Sequence, residues 1–129
     1  MGMKFLIDTN IIIHFFNNEI PEMGKNQLKS IILLTVNISI ISKIELLGFT
    51  PQVGQEQPLI EDFVHNCTLF HLTDEIAAKT IELRKQYRLK IPDAIIAATA
   101  MVNNMTLISR NDKDFQQIKH LKYINPFRL

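Results

Sequence analysis

The chain has 129 residues, the usual size of one domain built around one core, here expected to span 1–129. At 47% hydrophobic and 21% charged residues it is too apolar for a disordered chain, and it is long enough to fold without disulfides or a structural metal. The net charge of +1 hides an asymmetry: residues 1–65 carry 4 Lys/Arg and 7 Asp/Glu, residues 66–129 carry 10 and 6. No charged start leads into a long apolar run, and apolar stretches such as 31–34 are far short of the ~20 residues a membrane span needs. A soluble, cytoplasmic protein is expected. The single cysteine, Cys67, reads as a reduced thiol in a buried strand.

In chain order, the apolar run 4–7 predicts a central strand. It ends in Asp8-Thr9-Asn10, three residues that favour helix N-caps, and 11–16 continue as a helix that Asn17-Asn18 and Pro21 break. A second helix is predicted over 27–36, a strand over 37–41, and a helix over 42–47 that opens at Ser42 and ends near Gly48. Pro51, Gly54 and Pro58 mark 50–58 as the main loop. A short helix over 59–65 then leads to a strand over 67–72. The clearest amphipathic helix covers 74–87, with Ile76, Thr80, Leu83 and Tyr87 on one face. Pro92-Asp93 opens a helix over 94–102 so uniformly apolar that it must be buried on most sides. A strand over 105–109, a short helix over 114–119 and an edge strand at 123–124 complete the chain. Short strands alternating with helices imply an α/β domain, its sheet mostly parallel and covered on both faces. In such sheets ligands bind beyond the carboxyl ends of the strands.

Four acids stand near those ends or in first helical turns: Asp8, Glu45, Asp93 and Asp112. Each has an ordinary structural explanation. Asp8 can cap a helix, Ser42-Lys43-Ile44-Glu45 fits a capping box, and Asp93 after Pro92 meets a helix dipole. Asp112 and Asp114 lie in a turn. Their apolar surroundings remain unexplained, because carboxylates on the rim of a buried core carry a desolvation cost unless something positive sits among them. A divalent cation would resolve it. Oxygen ligands in this number, without matching His or Cys, suit Mg²⁺ or Mn²⁺ rather than zinc. His14, His65, His71 and His120 show no ligand spacing.

The chain resembles the PIN-domain nucleases, and among them the small VapC-type toxins of bacterial toxin–antitoxin pairs. The matching segments are Phe5-Leu6-Ile7-Asp8-Thr9-Asn10, Ser42-Lys43-Ile44-Glu45-Leu46, Lys90-Ile91-Pro92-Asp93 with the Ala94–Ala100 helix, and Leu107-Ile108-Ser109-Arg110-Asn111-Asp112-Lys113-Asp114-Phe115. The resemblance implies a three-layer α/β/α fold and a Mg²⁺- or Mn²⁺-dependent endoribonuclease that leaves a 5′-phosphate. It assigns the metal to Asp8, Glu45 and Asp93, with Thr9 or Asn10 supporting the first acid. At the fourth position the family has Asp or Asn. Asn111 and Asp112 are adjacent there; Asp112 is preferred for its charge, and Asp114 is read as a helix cap. Ser109 stands where the family commonly has Thr. The resemblance also implies a homodimer and a VapB-type antitoxin covering the site, with Phe15, Phe16, Ile31 and Leu34 serving that partner or, more simply, the core. Arg84, Lys85, Arg88 and Arg110 are candidates for holding the RNA backbone on charge alone. Two rivals stand beside this reading: a phosphatase with an aspartyl nucleophile at Asp8, and a non-catalytic PIN-like RNA-binding module.

Overall fold

The computed structural model describes residues 4–48 and 57–129; most of the predicted 50–58 loop lies outside them. The centre of the sheet is β1 (Phe5–Ile7). Asp8 caps the helix that follows at once, α1 (Thr9–Phe16), and Asn18 ends it in the left-handed region (φ 57°) that Asn tolerates. The next helix, α2 (Glu22–Ile32), begins straight after Pro21 rather than at 27. Its first turn, Glu22 to Lys25, has an exposed Met23 and a buried Gly24, so no apolar stripe marks it in the sequence. It ends at Ile32 rather than 36 because the chain is committed to the sheet by Val36, whose carbonyl accepts from Thr68 N at 2.8 Å.

The second strand, β2 (Asn37–Ser39), is shorter than predicted, because Ser39 rather than Ser42 caps α3 (Ile40–Leu47) by accepting from Ile41 N at 3.0 Å. α4 (Gln57–His65) precedes β3 (Thr68–Phe70), and Cys67 sits half-buried just before that strand, donating to Phe63 O. α5 (Asp74–Gln86), capped by Thr73, buries the predicted Ile76, Thr80 and Leu83. α6 (Ile91–Val102) is buried without interruption from Ala94 to Ala100. After it come β4 (Thr106–Ile108), α7 (Asp112–Phe115), β5 (Tyr123–Ile124) and a 3₁₀ turn, Pro126–Arg128, that the sequence did not suggest.

The strand order is β3-β2-β1-β4-β5 and every pairing is parallel. Alternation along the strands divides the core in two. Leu6 and Leu107 face α5, α6 and Phe115 of α7, whereas Ile7, Ile38 and Ile108 face residues of α1 to α4. Each of these five side chains is at most 1% exposed, contributing roughly 1.5–3 kcal/mol by burial. Helices therefore cover both faces, the three-layer arrangement expected. The chain leaves β1 toward β2 and β3, then returns to the other side of β1 as β4. The order thus reverses between β1 and β4, and sheets of this kind bind ligands beyond the carboxyl ends of the strands at such a point.

Candidate active site

In the β1–β4 register Phe5 pairs with Thr106 and Ile7 with Ile108, so the next step sets Asp8 beside Ser109. Ser109 Oγ donates to Asp8 Oδ2 at 2.7 Å, Asn10 Nδ2 donates to the same oxygen at 3.2 Å, and Thr9 N donates to Oδ1 at 2.8 Å. Asp8 is only 4% exposed. Burial pushes its carboxyl up to about 6; the Ser109 and Thr9 hydrogen bonds oppose that rise, and the charges of Asp93 and Glu45 add to it. Asp8, Asp93 and Glu45 therefore share one neighbourhood.

Glu45 reaches it from α3. Because Ser39 is the cap, Glu45 lies in the second turn and makes no capping box; the ordinary explanation for this acid falls away. Thr9 Oγ1 instead donates to Glu45 Oε1 at 2.7 Å and lies 2.9 Å from the fully buried Ser42 Oγ. Asp93 comes from the first turn of α6, half-buried. Burial raises its pKa first, then the charges of Asp114 and Glu45, while Lys90 lowers it.

The further acid that stands beside Asp93 is Asp114, whereas Asp112 is held elsewhere. Asn111, expected to support the site, caps α7: its Oδ1 accepts from Asp114 N, its Nδ2 donates to Asp114 Oδ2 at 2.8 Å, and its own N–H meets Ser109 Oγ at 3.1 Å. Two residues on a helix are about 200° apart around its axis, so Asp112 and Asp114 project to opposite sides. Asp112 turns away toward β5 and the 3₁₀ turn. Its Oδ1 accepts from Tyr123 Oη at 2.7 Å, Asn125 Nδ2 at 3.1 Å and Arg128 Nη2 at 3.2 Å, and its Oδ2 pairs with Arg128 Nε at 2.8 Å. These partners, Tyr123 foremost, hold its pKa below the usual carboxylate range. Asp112 thus has a resident cation in Arg128, whereas among the other acids Lys90 acts on Asp93. The missed signal was the Asn-x-x-Asp spacing, which sets the acid three residues after a cap.

Of the predicted RNA-binding residues, Arg84, Lys85 and Arg88 lie along α5 and its end, and Arg110 lies against Phe127 and Asn10. Arg84 and Arg88 line a cleft of about 460 Å³ with Tyr87, Leu89 and Lys90, just before Asp93. Arg84 also lines, with Lys85, an adjoining apolar groove along α5 and α6 that includes Ile81 and Ile91. Arg110 stacks over Phe127, its guanidinium carbon 4.1 Å from the ring centre, and its backbone N–H meets Asn10 Oδ1. Of the apolar residues considered for a partner, Ile31 is buried, Phe15 and Phe16 pack half-buried against the core, and Leu34 is exposed with Met23 and Leu33.

Four carboxylates at a sheet's switch point, two of them raised in pKa by burial and mutual repulsion, suit a hard divalent cation. Among the described residues no group of three or more His, Cys, Asp or Glu side chains is placed to hold a metal ion by itself. A cation held among these acids would therefore have to meet them partly through its own water shell, which Mg²⁺ gives up reluctantly. Fold and site together define an α/β/α domain with an acidic centre at the carboxyl end of a parallel sheet.

Comparison with known proteins is more specific. Residues 5–121 match the PIN domain family, and the chain belongs to it. It is 27% identical over 122 residues to Ribonuclease VapC1 of Methanocaldococcus jannaschii, covering 90% of this chain and 82% of that one. A toxin–antitoxin complex from Klebsiella pneumoniae contains a chain 31% identical, with TM-score 0.75 and 95% and 98% coverage. VapBC2 from Rickettsia felis, bound to a promoter DNA fragment, contains one 25% identical, with TM-score 0.79 and the same coverage. PIN-domain nucleases of the VapC kind are metal-dependent. No helix among the described residues is long and apolar enough to cross a membrane.

Proposed function

We propose that this chain is a metal-dependent endoribonuclease, a hydrolase of RNA phosphodiester bonds, and the toxin of a toxin–antitoxin pair. The observation that carries the reading is Asp8, buried at the end of β1 yet surrounded by Asp93 and Glu45. Such a carboxylate is destabilised when charged unless a cation joins it. Asp8, Glu45, Asp93 and Asp114 would hold Mg²⁺ or Mn²⁺. When bound, the ion supplies an acidified water as nucleophile and neutralises charge on the scissile phosphate.

The chain's own groups prepare the place. Ser109 and the Thr9 N–H hold both oxygens of Asp8. The Thr9 hydroxyl fixes Glu45, and Asn111 fixes Asp114. Arg88 and Lys90, exposed on the cleft before Asp93, would hold flanking phosphates. A VapB-type antitoxin would cover the site, the protein would work as a homodimer, and the compartment would be the cytoplasm.

An aspartyl phosphatase is less well supported. Where it needs a second acid stands Asn10, whose amide donates to Asp8. The test is cleavage of single-stranded RNA by the purified protein with Mg²⁺ or Mn²⁺, against a chelator control. Asp8→Asn, Asp93→Asn and Asp114→Asn should each lower the rate more than about 100-fold, beyond the range of supporting residues. RNA left uncut, with metal binding unchanged in Asp8→Asn, would overturn the reading.

A further inference from the structure

The carboxylate the metal site leaves out has its own set of partners. Asp112 is gripped by three side chains from the segment 123–128: Tyr123, Asn125 and Arg128. The same segment holds the backbone just before it. Ser109 N donates to Ile124 O at 3.1 Å, Tyr123 Oη lies 3.0 Å from Ser109 O, and Asn125 Nδ2 lies 3.4 Å from Arg110 O. Asn125 Oδ1 in turn caps the 3₁₀ turn by accepting from Phe127 N at 2.8 Å, and the Phe127 ring carries the Arg110 guanidinium. Residues 109–112 are thus bracketed from β5 and the 3₁₀ turn. Their other side faces the acids, where Ser109 Oγ donates to Asp8 and receives Asn111 N–H.

We propose that Asp112 is a positioning residue: with Tyr123, Asn125 and Arg128 it latches the 123–128 segment onto the 109–112 loop, and the latch fixes Ser109 against Asp8 and Asn111 against Asp114. The inference rests on the metal-centre reading above and concerns how that centre is kept in shape. Its physical basis is connectivity. Ser109 has a carbonyl tied to the latch and a hydroxyl tied to Asp8, so loosening one end frees the other. Groups that orient metal ligands commonly change affinity 10–100-fold when removed.

The experiment is calorimetric titration of Mn²⁺ into the full chain and its variants, with a thermal melt of each to establish that it is folded at the titration temperature. Asp8→Asn, which removes a ligand, sets the scale by losing binding. Tyr123→Phe and Arg128→Ala, whose side chains lie outside the acid cluster, should each weaken Mn²⁺ binding roughly tenfold. Asp112→Ala should match them, and Asp112→Asn, which keeps an oxygen for Tyr123 and Asn125, should recover part of the loss. If Asp112→Asn loses binding as Asp8→Asn does while Tyr123→Phe and Arg128→Ala bind like wild type, Asp112 is a ligand and the latch is wrong. If all four latch variants bind like wild type while Asp8→Asn does not, the segment merely packs and the latch is again wrong. If wild type itself takes no Mn²⁺, the metal-centre reading fails, a result distinct from both.

Discussion

The metal-free protein should lose stability as pH rises through the titration of Asp8, and Asp8→Asn should abolish that loss. Burial lifts the Asp8 carboxyl from its ordinary 3.8 to about 6. The folded state therefore holds the proton more tightly than the unfolded chain, and stability falls with pH across that interval. Below about pH 4 the group is protonated in both states and costs nothing. Above about pH 6 the full penalty is present: roughly two pH units at 1.36 kcal/mol each, or about 3 kcal/mol. An Asn can still accept from Thr9 N, and the Ser109 hydroxyl can reverse to accept, so the variant keeps the cap without the charge.

The assay is urea unfolding in chelator at several pH values, taking the difference between wild type and variant. That difference cancels groups that titrate independently of Asp8, such as Asp112, whose lowered pKa acts in the opposite direction. Asp93, coupled to Asp8 by charge and raised in pKa, contributes to the difference in the same direction. The variant should gain on wild type by up to about 3 kcal/mol between pH 4 and 7. Mg²⁺ at a hundred times its dissociation constant should then return about 2.7 kcal/mol to wild type and little to the variant. A difference that stays flat from pH 4 to 7 would refute the view of Asp8 as a buried, uncompensated carboxylate.

Gly24→Ala should destabilise the fold, because a Cβ there would stand 1.8 Å from Pro126 O, where the 3₁₀ turn seats on α2. Overpacking of about 1–3 kcal/mol outweighs the gain in helix propensity of about 1 kcal/mol, and a melt should show a drop of a few degrees. In an Asp93→Asn background that binds without cutting, Arg88→Gln should reduce the slope of log affinity against log salt for single-stranded RNA by about 0.7; an unchanged slope would remove Arg88 from the RNA path. Burial pushes the Cys67 thiol up to about 11, so at pH 7.5 it should react with a disulfide reagent far more slowly than in urea. Equal rates in the native and unfolded protein would mean that the thiol is open to solvent.

Much was legible in the sequence because local rules are short-ranged. The apolar run Phe5-Leu6-Ile7 ending in Asp8 announced both a strand and the acid at its end, since period-two burial and N-capping act within a few residues. The unbroken apolar stretch of α6 announced its burial and placed Asp93 at its start. Those segments also carried the likeness to PIN domains, which residues 5–121 bear out.

What the sequence could not decide were choices between neighbours. Ser39 and Ser42 are both good caps; the sheet chose Ser39 by ending β2 there, and so released Glu45 from the capping box to meet Thr9. Charge favours Asp112 over Asn111 but cannot separate Asp112 from Asp114, two acids on one turn, and the fold sets Asp114 beside Asp93. Asn111 took the cap, helical geometry sent the two acids to opposite sides, and Tyr123, Asn125 and Arg128 gave Asp112 partners of its own. These contacts join residues 11 to 16 positions apart, through a β5 and a 3₁₀ turn with almost no signal in local pattern. Residue types and spacing determined that an acidic centre exists at the end of β1, because those are properties of single segments. Which carboxylates enter it was decided only when parallel pairing set β1 beside β4, because that juxtaposition belongs to no one segment.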